Sequence, residues 1–279
     1  MTPKAPLMCF IDVVIVTHKT RDLTLACIAS LRSFPNIRFI VVDTGSQDGV
    51  IQAVTQLDHT ICTLELDAET GYAAAANAGV ALGTSPYLFI CNADIVFNPE
   101  AVQHLLTALA DERYGLVAPK LVNQDGTLQC NWARFPSLRT ELTGALDRSE
   151  YNGTSPGNIP VSWVGGACIA LRRTAWTKIK GYNPDIMFYG EDLDLCWRLQ
   201  QGQLGAVVLV TAATIVHLGG QSSLSRSPLW LRRRLYKARM RDLNIVSGSL
   251  VSIPAKCVCT LRFFLWILLN LRGLDAHRT

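Results

Sequence analysis

The stretch FICNADIVF, residues 89–97, runs as a buried strand, stops on Asn92-Ala93-Asp94 and then turns apolar again. An unpaired carboxylate at the end of so hydrophobic a strand is costly to desolvate. Either a cation sits there or the strand end opens into a cleft. Three further runs share the character of YLFICNAD (87–94): FIDVVIVT (10–17), IRFIVVD (37–43) and ICTLEL (61–66). Near-continuous β-branched and apolar residues mark strands buried on both faces.

Helical patterns alternate with these strands. Residues 20–33 place Leu23, Ala26, Cys27, Ser30 and Leu31 along one stripe, residues 48–56 follow Ser46 as a candidate N-cap, and an alanine-rich segment, 72–83, starts after Gly71. The β-α-β-α-β-α-β order predicts an α/β fold with a doubly wound, mostly parallel sheet. In such sheets ligands bind beyond the carboxyl ends of the strands. Three strands end on polar groups: Thr17-His18-Lys19, Asp43-Thr44-Gly45-Ser46 and Asn92-Ala93-Asp94. Any one of these alone reads as a strand handing over to a solvated turn; their coincidence is the functional signal.

Beyond Pro99 the pattern gives a helix to about 110, a strand at 115–119, a hairpin turn at Asp125-Gly126, a loop over 149–160, a strand at 161–171 and a helix to about 180. GEDLDLCWRLQQ (190–201) opens another helix. If it starts near Glu191, Asp192 shares a face with Leu195, Cys196 and Leu199 and points inward, Glu191 and Asp194 point elsewhere, and Asp194 pairs with Arg198 at the surface. First-turn acids also simply complement the helix dipole.

Composition narrows the class. Of the 279 residues 49% are hydrophobic and 17% charged, enough for a large globular core. Nine cysteines, an odd number without a C-x-x-C pair, fit a reducing cytosol and give no zinc or dithiol signature. Lys4 ahead of LMCFIDVVIV imitates a signal peptide, but Asp12 interrupts the run and no small-residue cleavage site follows. No apolar run reaches the roughly 20 residues a membrane crossing needs, so no spanning segment is expected. From His217 onward eleven Lys and Arg face two Asp, a net +9 against −5 for residues 1–216. The chain thus divides into a body, 1–225, and a basic extension, 226–279.

Taken in order, VVIVTHKT, IVVDTGSQDG, ETGYAAAANAG, YLFICNAD, LVNQDGTLQ, WARFPSLRTELTG, VSWVGGACIALRR, MFYGEDLDLCWRLQQ and IVHLGGQSS resemble the inverting glycosyltransferases of family two, and within them the bacterial rhamnosyltransferase-like group. The likeness covers roughly residues 10–225. It implies a GT-A fold that binds a nucleotide-diphosphate sugar with a divalent metal, Mn²⁺ or Mg²⁺. Asp94 would ligate the metal as a hard oxygen donor and His217 would complete the shell, an imidazole favouring Mn²⁺. Asp192 would be the general base. Thr17, His18, Asp43, Glu69, Gly71, Asn77, Asn92 and Glu191 fall at the substrate-binding positions, Asp43 on the nucleobase and Gly71 where backbone approaches the nucleotide. The chain departs from the pattern at Glu69, where Asn is usual, at Asn92, which replaces the first acid of D-x-D, and at His18, where Tyr is common. The Glu69 charge would oppose a nucleotide unless Lys19 or Arg21 pairs with it.

The extension carries WLRRRLYKARMR (230–241) and the apolar CVCTLRFFLWILLNLRG (257–273). A basic segment followed by an amphipathic one reads as a helical appendage lying on anionic lipid, more than on nucleic acid. The expectation is a cytoplasmic enzyme, peripheral on the inner face of the cell membrane, adding a sugar such as rhamnose to a polyprenyl-linked saccharide. The competing readings are a catalytically silent scaffold, opposed by the joint presence of Asp94, Asp192 and His217, and a nucleotidyltransferase, opposed by the absence of glycines in THKTRDLT.

Overall fold

Apolar side chains, broken by Asp12 alone before the closing Thr17, make β1 (Ile11–Thr17) a fully buried strand, and it occupies the middle of the sheet. The computed structural model describes residues 11–219 and 227–274. Phe10, Gly220, the 225/226 boundary and the Arg272 side chain lie outside the described residues. After β1 come α1 (Arg21–Leu31), β2 (Ile37–Thr44), α2 (Val50–Leu57), β3 (Cys62–Leu66), α3 (Tyr72–Leu82) and β4 (Tyr87–Asn92). The chain continues through β5 (Ile95–Val96), α4 (Pro99–Leu109), β6 (Tyr114–Val122), β7 (Leu128–Gln129), β8 (Trp132–Ala133), α5 (Leu138–Thr143), β9 (Asn158–Pro160), β10 (Trp163–Val164) and β11 (Cys168–Arg172). It ends with α6 (Arg173–Lys178), α7 (Glu191–Gln201), β12 (Ala206–His217), α8 (Pro228–Ser247) and α9 (Ile253–Leu274).

The main sheet runs β3-β2-β1-β4-β11-β6-β12-β5. The first four strands are mutually parallel, β12 is parallel to β6, and β11 runs antiparallel between β4 and β6. This is the doubly wound, mostly parallel sheet the alternation predicts. One apolar layer lies under α1, α2 and α4, the other under α3 and α7. Asp12, which breaks the apolar run of β1, is fully buried and held by Arg173 at 2.6 Å and by the Ser85 amide at 2.9 Å and hydroxyl at 2.6 Å. A satisfied buried charge of this kind is tolerated.

Three local expectations are corrected. Ser46 does not cap α2; Gly49 at φ 77° precedes that helix, while the Ser46 amide and hydroxyl both donate to Asp43. The Asp194–Arg198 pair is not a surface bridge: Asp194 is buried, its carboxylate accepts from Arg198 Nε at 2.7 Å, and the same guanidinium donates to the carbonyls of Ile179 and Gly181. It ties α7 to the preceding loop. Finally, residues 253–270 form a helix long and apolar enough to cross a membrane by length and composition. Lys256 and Arg262 interrupt the run in sequence but turn inward, to Asn244 and to the Glu141 carbonyl, so the outer face stays apolar.

Candidate active site

Four strands deliver their C-terminal ends to one cavity of about 320 Å³, within the range of small-molecule sites. Thr17 arrives on β1, Thr44 on β2, Asn92, Ala93 and Asp94 after β4, and His217 on β12. Glu191 of α7 and the aromatic rings of Tyr72, Phe188, Tyr189 and Trp230 close it.

Asp94 meets His217 because β5 pairs antiparallel with the end of β12, His217 opposite Ile95. The Leu218 amide donates to the Asp94 carbonyl at 2.9 Å, locking that register. His217 Nε2 lies 3.3 Å from Asp94 Oδ1. The other ring nitrogen, Nδ1, contacts Gln129 Oε1 at 2.8 Å, and Gln129 Nε2 donates to the His217 carbonyl at 2.7 Å. Gln129 thereby orients the imidazole. His217 Nε2 is buried without a hydrogen-bond partner. An orphaned imidazole nitrogen facing a carboxylate oxygen is a donor pair that fits a divalent cation. No group of three metal-type side chains occurs among the described residues, so further ligands would come from substrate oxygens or water.

Thr17 is buried, its hydroxyl bridging those of Thr20 and Thr24 at 2.9 Å each, and His18 Nδ1 contacts the Thr44 carbonyl at 2.9 Å. With Asn92 and Glu191 they lie on the cavity as the sequence predicts. Four predicted residues do not. Asp43 is buried beneath it, its carboxylate occupied by Ser46. Asn77 spends its side-chain amide on the Tyr182 backbone, donating at 2.9 Å and accepting at 3.0 Å, so it latches α3 to the loop before α7. Gly71 is small for a different reason than nucleotide approach: a Cβ there would come within 2.6 Å of the Met187 carbonyl oxygen. Glu69 is exposed, between the cavity residues Ala68 and Thr70, and has no Lys19 or Arg21 partner.

Asp192 also departs from the predicted convergence. It lines an adjoining cavity of about 440 Å³ between α7, α5, α8 and α9, which shares Tyr189 with the first. Its Oδ2 accepts from the Gly166 amide at 2.9 Å and its Oδ1 from the Leu193 amide at 2.8 Å. Tyr72 donates to the Gly166 carbonyl at 3.4 Å, so the backbone of one residue links the two cavities. Burial raises the Asp192 carboxyl above its usual range, opposed by those amides. Burial, reinforced by Asp192 beside it, pushes Glu191 up to about 8, and Glu191 Oε2 is buried without a partner. Sequence reasoning missed Gln129, Tyr189 and Trp230; LVNQDGTLQ and MFYGED contain the first two, but nothing in their spacing shows which side chains face the cleft.

A family model described as glycosyl transferase family 2 matches residues 12–175. The N-acetylglucosaminyl-diphospho-decaprenol L-rhamnosyltransferase of Mycobacterium tuberculosis is 28% identical over 227 residues, 72% of this chain and 71% of that protein. The pre-mycofactocin glycosyltransferase of the same organism is 29% identical over 203 residues, 71% of this chain and 40% of its own. Among solved structures, a mannosyltransferase from Pyrobaculum calidifontis in complex with GDP-Man and Mn²⁺ aligns at a TM-score of 0.61 and 15% identity, covering 91% of this chain and 69% of its own. The shared architecture is the GT-A fold.

Proposed function

The chain belongs to glycosyl transferase family 2, and from that premise we propose that it is a metal-dependent inverting enzyme that moves a deoxyhexose such as rhamnose from a nucleotide-diphosphate donor to a lipid-linked saccharide. The observation that carries this reading is the Asp94–His217 pair, 3.3 Å apart at the strand ends with the His217 Nε2 unpartnered. These two residues would hold Mn²⁺ or Mg²⁺. A divalent ion bound there would neutralise charge that grows on the leaving diphosphate.

The remaining chemistry belongs to the chain's own side chains. Thr17, His18 and Asn92 line the cavity where the nucleotide would lie, with Asp43, Gly71 and Asn77 acting through the loops they position. Asp192 accepts the proton of the acceptor hydroxyl as that oxygen attacks the anomeric carbon, while the bond to the diphosphate breaks on the opposite face. Two backbone amides fix the carboxylate for this purpose. Glu191, raised to about 8 and facing the donor side, is a hydrogen-bond donor near neutrality. The choice of sugar and acceptor follows the mycobacterial L-rhamnosyltransferase to which the chain is similar.

Exposed Arg233 and Lys237 of α8 and the exposed apolar residues of α9, Leu261, Phe264, Leu265, Leu268 and Leu269, support residence on the inner face of the cell membrane. The test of function is transfer from a panel of nucleotide sugars to lipid-linked N-acetylglucosamine, with and without Mn²⁺, with the product anomer assigned by NMR. Full activity in chelator, or a retained configuration, would overturn the reading. Sedimentation with anionic and neutral vesicles tests the membrane location.

A further inference from the structure

Resting on that reading, we infer that the cavity around Asp192 is the acceptor site, in which Arg232 and Arg262 take the diphosphate of a prenyl-diphosphate saccharide while the prenyl chain lies on the outer face of α9. Successive carboxylates on α7 serve the two cavities: Glu191 lines the one with the metal pair, Asp192 the other. A base that deprotonates the acceptor must face the acceptor, so the Asp192 cavity is the side from which it enters.

The wall of that cavity is suited to a diphosphate. Among its three arginines, Arg239 is neutralised by Glu141. Arg262 donates only to the carbonyls of Glu141 and Gly144, at 2.8 and 3.5 Å, and Arg232 lies over the Trp266 ring at 5.5 Å. Neither forms an ion pair among the described residues, and both guanidinium groups keep charge for a bidentate anion. Trp266 stands one turn beyond Arg262 on α9, which brings the two cations to one stretch of wall.

A lipid tail has an apolar surface on the solvent side of the same helix. Ala255, Cys259 and Phe263 form the buried face of α9, whereas Leu261, Phe264, Leu265 and Leu268 recur at helical spacing on the solvent side. An apolar stripe on the helix that also brings Arg262 to the cavity of the base matches an amphiphile with a diphosphate between saccharide and hydrocarbon. A soluble saccharide would use neither the stripe nor the cations.

Farnesyl diphosphate is a soluble probe of this chemistry. Its binding to the full chain is measured by calorimetry in saturating UDP and Mn²⁺, which block the nucleotide cavity. Wild type is expected to bind it at least tenfold tighter than inorganic pyrophosphate or farnesol. Arg232→Gln, whose side chain touches only a ring, should weaken binding about tenfold, and Phe264→Asp with Leu268→Asp should bring farnesyl diphosphate down to the pyrophosphate level. Unchanged affinity in Arg232→Gln, or pyrophosphate binding as well as farnesyl diphosphate, would overturn the assignment, the latter marking an adventitious anion site. Nucleotide-sugar hydrolysis by the unmodified protein is the separate check: its absence sinks the transferase reading itself, whereas its presence beside unchanged lipid binding sinks only the acceptor site.

Discussion

Glu191 and Asp192 are consecutive on the first turn of α7, yet their carboxylates face different cavities, one shared with Asp94 and His217 and the other with the arginines of α8 and α9. The division assigns them separable roles. Asp192→Asn keeps the shape of the side chain and removes the proton acceptor. Turnover should fall by about 10²–10⁴-fold while nucleotide affinity stays within about twofold. Glu191→Gln should instead raise the donor KM. Steady-state kinetics with nucleotide titrations distinguish the two, and a loss of nucleotide binding in Asp192→Asn would contradict the division.

The Asp94–His217 pair gives a prediction that does not need turnover. Asp94→Asn should abolish the Mn²⁺ enhancement of nucleotide binding. Gln129→Leu removes the group that orients His217 through Nδ1 and its own carbonyl, and loss of such an outer partner typically costs about 10–100-fold in metal affinity. Mn²⁺ titration followed by electron paramagnetic resonance reads both. Wild-type affinity in Gln129→Leu would show that the glutamine only fills space.

A third prediction concerns the loop that carries Tyr189. Arg198 joins buried Asp194 to the carbonyls of Ile179 and Gly181, so Arg198→Ala leaves a buried carboxylate uncompensated. Removing one partner of a buried pair costs about 3–5 kcal/mol, against about 0.3–0.5 kcal/mol for an exposed pair at the same helical spacing. Urea unfolding should place this variant near the larger figure, even allowing for the partial exposure of Arg198. A change under about 1 kcal/mol would return the pair to the surface class.

Much of the sheet is legible in sequence because buried parallel strands carry a signal in every residue. The polar ends of β1, β2 and β4 mark Thr17, Asp43, Asn92 and Asp94, all but Asp43 lining the cavity, whereas His217 is marked only by the family resemblance. Function at helix termini was harder. Asn77 and Gly71 stand where a nucleotide contact is expected, but their chemistry is consumed by Tyr182 and Met187, partners distant in sequence that no local pattern reveals. Periodicity puts Asp192 inward and Glu191 elsewhere, and cannot show that "elsewhere" is the cavity of Asp94 and His217. The charged breaks in α9 hid, within an expected helix, a span of membrane-crossing length for the same reason: Lys256 and Arg262 find polar partners on α8 and α5 only after tertiary packing.

The last prediction is a pH dependence of stability. Asp242 of α8 is buried, and desolvation pushes its carboxyl up to about 7 despite Arg241 at 3.2 Å and Arg239 nearby, with Asp192 adding to the rise. In the unfolded chain this group titrates near its ordinary value of about 3.9. Between those two values the folded state holds a proton the unfolded state has released, so folding stability is greatest at the acid end of the window and declines as pH climbs to about 7. Glu191 and Asp192, also raised, act with the same sign. Urea unfolding at pH 5, 6, 7 and 8 should show this decline, and Asp242→Asn, which cannot ionise, should make it shallower without removing it. An identical slope in the variant would mean that Asp242 is already ionised in the folded protein and that Arg241 fully offsets its burial.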